Sequence, residues 1–113
     1  MYQKTIVKTI EFLGKGLHLG KQCKLTLYPE QPNEGYTFRH NNQKYKINAF
    51  SVFDTTRSTN LKFGDNVVYT IEHLLSALAG LQIDNICIEV EGDEIPILDG
   101  SSKIFIEKIL NIF

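Results

Sequence analysis

Thr70-Ile71-Glu72-His73-Leu74-Leu75-Ser76-Ala77-Leu78-Ala79-Gly80 reads as a short amphipathic helix with an acid and an imidazole side by side in its first turn. Ile71, Leu74, Leu75 and Leu78 recur at i, i+3, i+4 and i+7, the spacing of one buried face. Thr70 suits the N-cap and Gly80 the C-terminal end. At about 100° per residue, Glu72 and His73 fall off the apolar stripe and point away from the core it would face. The opposite face continues through Ser76, Ala77 and Gly80, all small, and no long charged side chain stands between positions 73 and 81. A solvated helix face normally carries Lys, Glu, Arg or Gln, so something is expected to pack there.

Outward from this helix, the N-terminal side alternates at strand period. Ile6, Ile10 and Phe12 give partial alternation, and Gly14-Lys15-Gly16 breaks it. Gln22-Cys23-Lys24-Leu25-Thr26-Leu27-Tyr28 puts Cys23, Leu25 and Leu27 on one face, and Pro29 ends the run. Turn-forming Pro32, Asn33, Glu34 and Gly35 lead into Tyr36-Thr37-Phe38-Arg39, and His40-Asn41-Asn42 makes a hairpin tip before Tyr45-Lys46-Ile47. The first half is thus expected to be a strand meander. Residues 50–61 read as polar and irregular, Val67-Val68-Tyr69 leads into the helix, and residues 85–90 alternate as another strand. A last helix begins near Ser101, with Ser101 or Ser102 as cap and Phe105, Ile106, Ile109, Ile112 and Phe113 apolar. Strands first and helices later predict an α+β fold: a two-layer sandwich whose mainly antiparallel sheet is covered on one face by two helices. The last helix reaches Phe113 with its apolar period still running and no polar tail, so the chain is expected to be half of a larger whole.

At 113 residues and 42% hydrophobic content, positions 1–113 make one domain with enough chain for a core. A net charge of -1 with interspersed signs gives no field that would select nucleic acid or an anionic membrane. No apolar run approaches the roughly 18 to 20 residues of a membrane span, and no signal-peptide core stands at the N-terminus. Cys23 and Cys87 lack C-x-x-C spacing and read as buried thiols in a reducing compartment. The cytoplasm is expected, with an organelle stroma as the alternative.

Glu72 and His73 carry the chemistry most worth weighing. A carboxylate beside an imidazole suits metal-assisted hydrolysis, yet an acid at a helix N-terminus is also what the helix dipole favours, and a partly buried histidine is commonly just hydrogen-bonded. Neither metalloprotease spacing is met, because Tyr69 stands where the inverted motif needs histidine and Ala77 where the direct one does. A catalytic zinc has three protein ligands, and His18 and His40 are the only other imidazoles. His40 falls in a hairpin tip and reads as solvent-exposed; His18, in the tight loop Gly16-Leu17-His18-Leu19-Gly20, reads as a locally bonded loop residue that could line a site. Gly14-Lys15-Gly16 lacks the third glycine and the helix of a dinucleotide site. Neither Ser58 nor Cys87 sits in a nucleophile elbow. Five acids between positions 89 and 99 lack the order of a calcium loop and read as solvated strand edges and turns.

Five blocks taken together are more specific. Gly16-Leu17-His18-Leu19-Gly20, Asp54-Thr55-Thr56-Arg57-Ser58-Thr59-Asn60-Leu61, Thr70-Ile71-Glu72-His73-Leu74-Leu75-Ser76-Ala77, Gly80-Leu81-Gln82-Ile83-Asp84-Asn85 and Glu94-Ile95-Pro96-Ile97-Leu98-Asp99-Gly100-Ser101 follow one another without large gaps. In order and spacing the chain resembles the N-terminal domain of bacterial UDP-3-O-acyl-N-acetylglucosamine deacetylase, the zinc amidase of lipid A synthesis. The resemblance implies a two-domain enzyme with its active site in the cleft between domains. It implies Glu72 as general base and His73 as one of three zinc ligands, the other two, a His and an Asp, coming from a second domain that this chain does not match. It implies a UDP-linked acylated amino sugar as substrate, a complementary C-terminal domain or chain as partner, and His18 and Ser58 as neighbours of substrate. On this reading the polypeptide alone would bind zinc weakly and be inactive. Two other readings stand beside it: a standalone binding module that kept the fold without catalysis, and an unrelated α+β interaction domain in which Glu72 and His73 are incidental.

Overall fold

Strict alternation along residues 22–29 buries Cys23, Leu25 and Leu27 on one face of a strand, and that strand lies near the middle of a five-stranded sheet. The computed structural model describes residues 3–17, 19–40, 43–48, 52–54, 59–63 and 66–110. In chain order the elements are β1 (Ile10–Lys15), β2 (Gln22–Pro29), β3 (Tyr36–His40), β4 (Gln43–Lys46), β5 (Val52–Asp54), β6 (Thr59–Phe63), β7 (Asn66–Val68), α1 (Glu72–Gly80), β8 (Ile86–Glu91) and α2 (Lys103–Leu110).

The main sheet runs β1-β2-β8-β3-β4. Every neighbouring pair in it is antiparallel except β3 and β8, which are parallel. The α+β class and the largely antiparallel sheet therefore stand, while the expected meander is interrupted: β8 wedges between the β1–β2 and β3–β4 hairpins. Strand register aligns Ile10, Leu27, Ile88, Phe38 and Tyr45 in one row across all five strands. Four of these are buried and Tyr45 packs partly buried against them. Fully burying such a side chain contributes about 1.5–3 kcal/mol, so this row is a principal source of stability. The helices cover the same face, with Leu74, Ala77 and Leu78 of α1 and Phe105 and Ile109 of α2 in the shared core. The Phe105 ring meets Phe12 of β1 at 5.0 Å.

Strand pairing continues where an irregular segment was expected. Residues 52–54 and 59–63 pair with each other, and β7 adds to them as a separate three-stranded sheet. Phe63 joins this sheet to the main one, its ring stacked on Phe38 and Tyr45 at 5.0 Å in each case. The break expected at Gly14-Lys15-Gly16 also falls later, since β1 pairs through Lys15 with Gln22.

The ends of α1 depart from the sequence expectation for local reasons. Thr70 is not the N-cap: its backbone is left-handed (φ 66), and Ile71 occupies the cap position with no side-chain cap bond. Gly80 is not the terminator either. Gln82 takes the left-handed conformation (φ 58), its N–H donating to the Ala79 carbonyl and the Ile83 N–H to that of Leu78, which closes a Schellman-type end. At α2, the Ser101 hydroxyl accepts the Lys103 N–H and the Ser102 carbonyl accepts the Ile106 N–H, so the two candidate caps share the work.

The outer sheet face is polar but tightly paired. Glu30 is buried there, accepting hydrogen bonds from the Thr37 hydroxyl and Gln31 N–H and pairing with Lys44 at 2.6 Å. Burial alone would raise its pKa, yet Lys44, Gln31 and Thr37 outweigh that cost and hold it below the ordinary value. Cys23 and Cys87 are both buried and free, as expected. Cys23 lies on the core side of β2, whereas Cys87 is in register with Tyr28 on the other side. Among the described residues no helix is long and apolar enough to cross a membrane.

Candidate functional site

Two structures converge on the first turn of α1. On one side β6 supplies Thr59 and Asn60: the Thr59 carbonyl accepts the Ile71 N–H at 2.8 Å, and Asn60 Oδ1 accepts the Thr70 N–H at 3.0 Å. Asn60 is fully buried, so its amide acts as a fixed internal bracket rather than a surface group. On the other side residues 93–97 run past Tyr69, whose N–H donates to the Asp93 carbonyl and whose carbonyl accepts the Ile95 N–H. The Ile97 N–H reaches back to the Lys15 carbonyl, which fastens this segment to the end of β1.

Within that frame Glu72 and His73 open the helix. The Glu72 Oε2 accepts the Thr59 N–H at 3.1 Å, so Thr59 grips both the helix backbone and the carboxylate. A negative charge at this position is also favoured by the helix N-terminus. Both side chains are half-buried, outside the row of fully buried Leu74, Ala77 and Leu78. Among the described residues the His73 ring has no hydrogen-bond partner. Ser76, Ala79 and Gly80 are exposed on the same side, while Ala77, expected on the small face, belongs to the core, and Leu75, expected in the core stripe, is only half-buried.

Glu94 is the site residue that sequence reasoning missed. Its neighbours in sequence make it read as a solvated acid, yet it is 1% exposed. Its Oε2 accepts the Thr70 hydroxyl at 2.7 Å and its Oε1 the Leu19 N–H at 3.0 Å. The available signal was the apolar run Ile95-Pro96-Ile97 that follows it, which marks a segment entering the core rather than a solvated edge. Its charge is felt nearby: burial first, then Glu94, pushes the Cys23 thiol pKa up. Asn60 carried no sequence signal that separates it from a turn residue. His18 and Ser58 lie outside the described residues, and His40, expected to be solvent-exposed, is half-buried with its ring stacked on Phe38.

Chemically, the pair offers one proton acceptor and one imidazole. Among the described residues no three His, Cys, Asp or Glu side chains gather as a metal shell. His73 fits a single ligand position, and a catalytic zinc needs more than one.

Comparison with known proteins gives a consistent result. The LpxC family model, described as UDP-3-O-acyl N-acetylglycosamine deacetylase, matches residues 3–112. The chain is 41% identical to a UDP-3-O-acyl-N-acetylglucosamine deacetylase of Chlamydia pneumoniae over 95% of its length and 40% of that protein's. It is 44% identical to a Bifunctional enzyme LpxC/FabZ of Chlorobaculum tepidum over 98% of this chain and 25% of the relative. A deacetylase of the same name from Methylococcus capsulatus is 45% identical over 92% of this chain and 36% of its own. The chain thus spans only a quarter to two-fifths of the length of these relatives.

Proposed function

The chain belongs to the UDP-3-O-acyl N-acetylglycosamine deacetylase family, and from that premise we propose that it supplies the N-terminal half of an active site that removes acetyl from UDP-3-O-acyl-N-acetylglucosamine in lipid A synthesis. The observation that carries the reading is the pairing of that match with Glu72 and His73 at the head of α1, the carboxylate gripped by Thr59 and the ring half-exposed.

On this reading Glu72 is the general base. It takes a proton from the water that attacks the acetamide carbonyl, and the Thr59 N–H keeps its carboxylate turned to a fixed direction while it does so. His73 is one ligand of a zinc ion whose remaining ligands come from a complementary C-terminal domain or chain. When bound, zinc supplies acidification of water and stabilisation of oxyanion charge. Acetate and a free 2-amino group are the products. The exposed arc of Ser76, Ala79 and Gly80 is the surface against which the second half packs, which accounts for its lack of long charged side chains. The proposed place of work is the cytoplasm, where two free buried thiols stay reduced.

The alternative is a module that keeps the fold without catalysis, and the lack of a three-residue metal shell among the described residues fits both readings. Mixing this chain with a separately expressed C-terminal half and assaying acetate release decides between them. Release that needs both halves and zinc supports the deacetylase; none in any mixture supports the module.

A further inference from the structure

Glu94 does more than fill space. It is a carboxylate buried to 1% exposure, and its two oxygens go to different parts of the chain. Oε1 takes the backbone N–H of Leu19 in the 16–20 loop, and Oε2 takes the hydroxyl of Thr70, two residues before Glu72. The loop is shaped around it: a Cβ placed on Gly16 would lie 2.1 Å from Oε1 and 2.9 Å from the Glu94 Cβ, so only glycine lets the backbone pass. Thr70 is a β-branched residue held at φ 66, a strained conformation that persists only when its surroundings over-determine it. Here the surroundings are the Glu94 carboxylate on the Thr70 side chain and the buried Asn60 amide on its N–H. The direction in which the chain enters α1, and hence where Glu72 and His73 sit, is set at this turn.

We propose that Glu94 is a positioning residue for the reaction at Glu72: its buried carboxylate ties the 16–20 loop to the strained Thr70 turn and holds both in the geometry the site requires. The inference rests on the deacetylase reading, and it makes Gly16, Thr70 and Glu94 one unit. Severing the tie lets the Thr70 turn relax and moves the base by a fraction of an ångström to an ångström, a displacement that costs up to about 100-fold in turnover.

The test uses this chain combined with its C-terminal half, with acetate release read as kcat and KM separately, melting temperature alongside, and amide exchange at Leu19. Glu94→Ala is expected to lower kcat by about 10- to 100-fold, more than it raises KM, and to speed Leu19 exchange. Glu94→Gln is expected to rescue most of kcat, because its carbonyl still accepts the Leu19 N–H while its amide donates to the Thr70 hydroxyl, which can act as acceptor. Thr70→Ala cuts the same tie from the other side and stands in if Glu94→Ala does not fold; Thr70→Ser keeps the hydroxyl and is expected to behave as wild type. An active wild type whose Glu94→Ala and Thr70→Ala variants turn over within about threefold of it overturns the proposal. An inactive wild type overturns the deacetylase reading instead, and unchanged Leu19 exchange in Glu94→Ala then still refutes the tie.

Discussion

The Glu72 Oε2 and the Thr59 backbone N–H stand 3.1 Å apart, so the carboxylate is aimed by the strand next to it rather than by its own helix. A glutamine at 72 would keep that hydrogen bond through its carbonyl and lose only the capacity to take a proton. In the protein completed by its second half, Glu72→Gln is therefore expected to lower kcat by about 10²- to 10⁴-fold with little change in melting temperature. Acetate-release kinetics beside a thermal melt check this, and retained turnover would remove Glu72 from the base role.

His73 supplies one imidazole, and among the described residues no set of three ligands gathers around a point. Titrating zinc into this chain alone is expected to show no stoichiometric binding tighter than about micromolar, far weaker than a three-ligand catalytic site. Adding the complementary half should create a tight site that His73→Ala weakens. Calorimetry on the chain, the mixture and the variant reads all three, and tight binding by the chain alone contradicts the shared-site picture.

Two glycines should respond in opposite directions to the same substitution. Gly16→Ala drives a methyl into the buried Glu94 side chain and is expected to cost about 1–3 kcal/mol. Gly80 is the last residue within α1 and has nothing within 4 Å of the added carbon, so Gly80→Ala is expected to raise stability of the chain by up to about 1 kcal/mol through helix propensity. Urea midpoints of the two variants provide the comparison.

Glu30 gives stability a defined acid limb. Its pKa in the folded protein lies below the ordinary 4.5, so its ionised form is favoured by folding. The contribution is complete above the unfolded value and is withdrawn as pH falls through the lowered folded value. Between neutral pH and about pH 3, wild type should accordingly lose more melting temperature than Glu30→Gln, which has no charge to protonate. Parallel curves for the two proteins would show that the Lys44 pair contributes nothing to this limb.

What the sequence revealed and what it concealed divide along physical lines. The helical stripe, the strand at 22–29 and the fold class follow from periods of 3.6 and 2, which are local. The swap of Leu75 for Ala77 at the buried edge of α1 needed the position of the sheet, since both residues lie on the margin of the stripe. The placement of β8 between two hairpins depends on pairings 50 to 67 residues apart, for which periodicity carries no information. At the candidate site, Glu72 and His73 stand out as an acid beside an imidazole off the apolar stripe, and only the family resemblance attaches roles to them. Glu94 was hidden because it stands among exposed acids, and the Thr70 turn and the Leu19 amide reveal its place in the structure.

The wedge made by β8 has a consequence for how the molecule comes into being. Until residues 86–91 leave the ribosome, both hairpins present a bare backbone rim, one along Leu25 and Leu27 and the other along Tyr36 and Phe38. Such rims invite pairing with foreign strands. The nascent chain must therefore keep two sticky margins apart until a single late segment zips them together, and any nick or early stop before residue 86 would yield a product prone to clump rather than a smaller version of the fold.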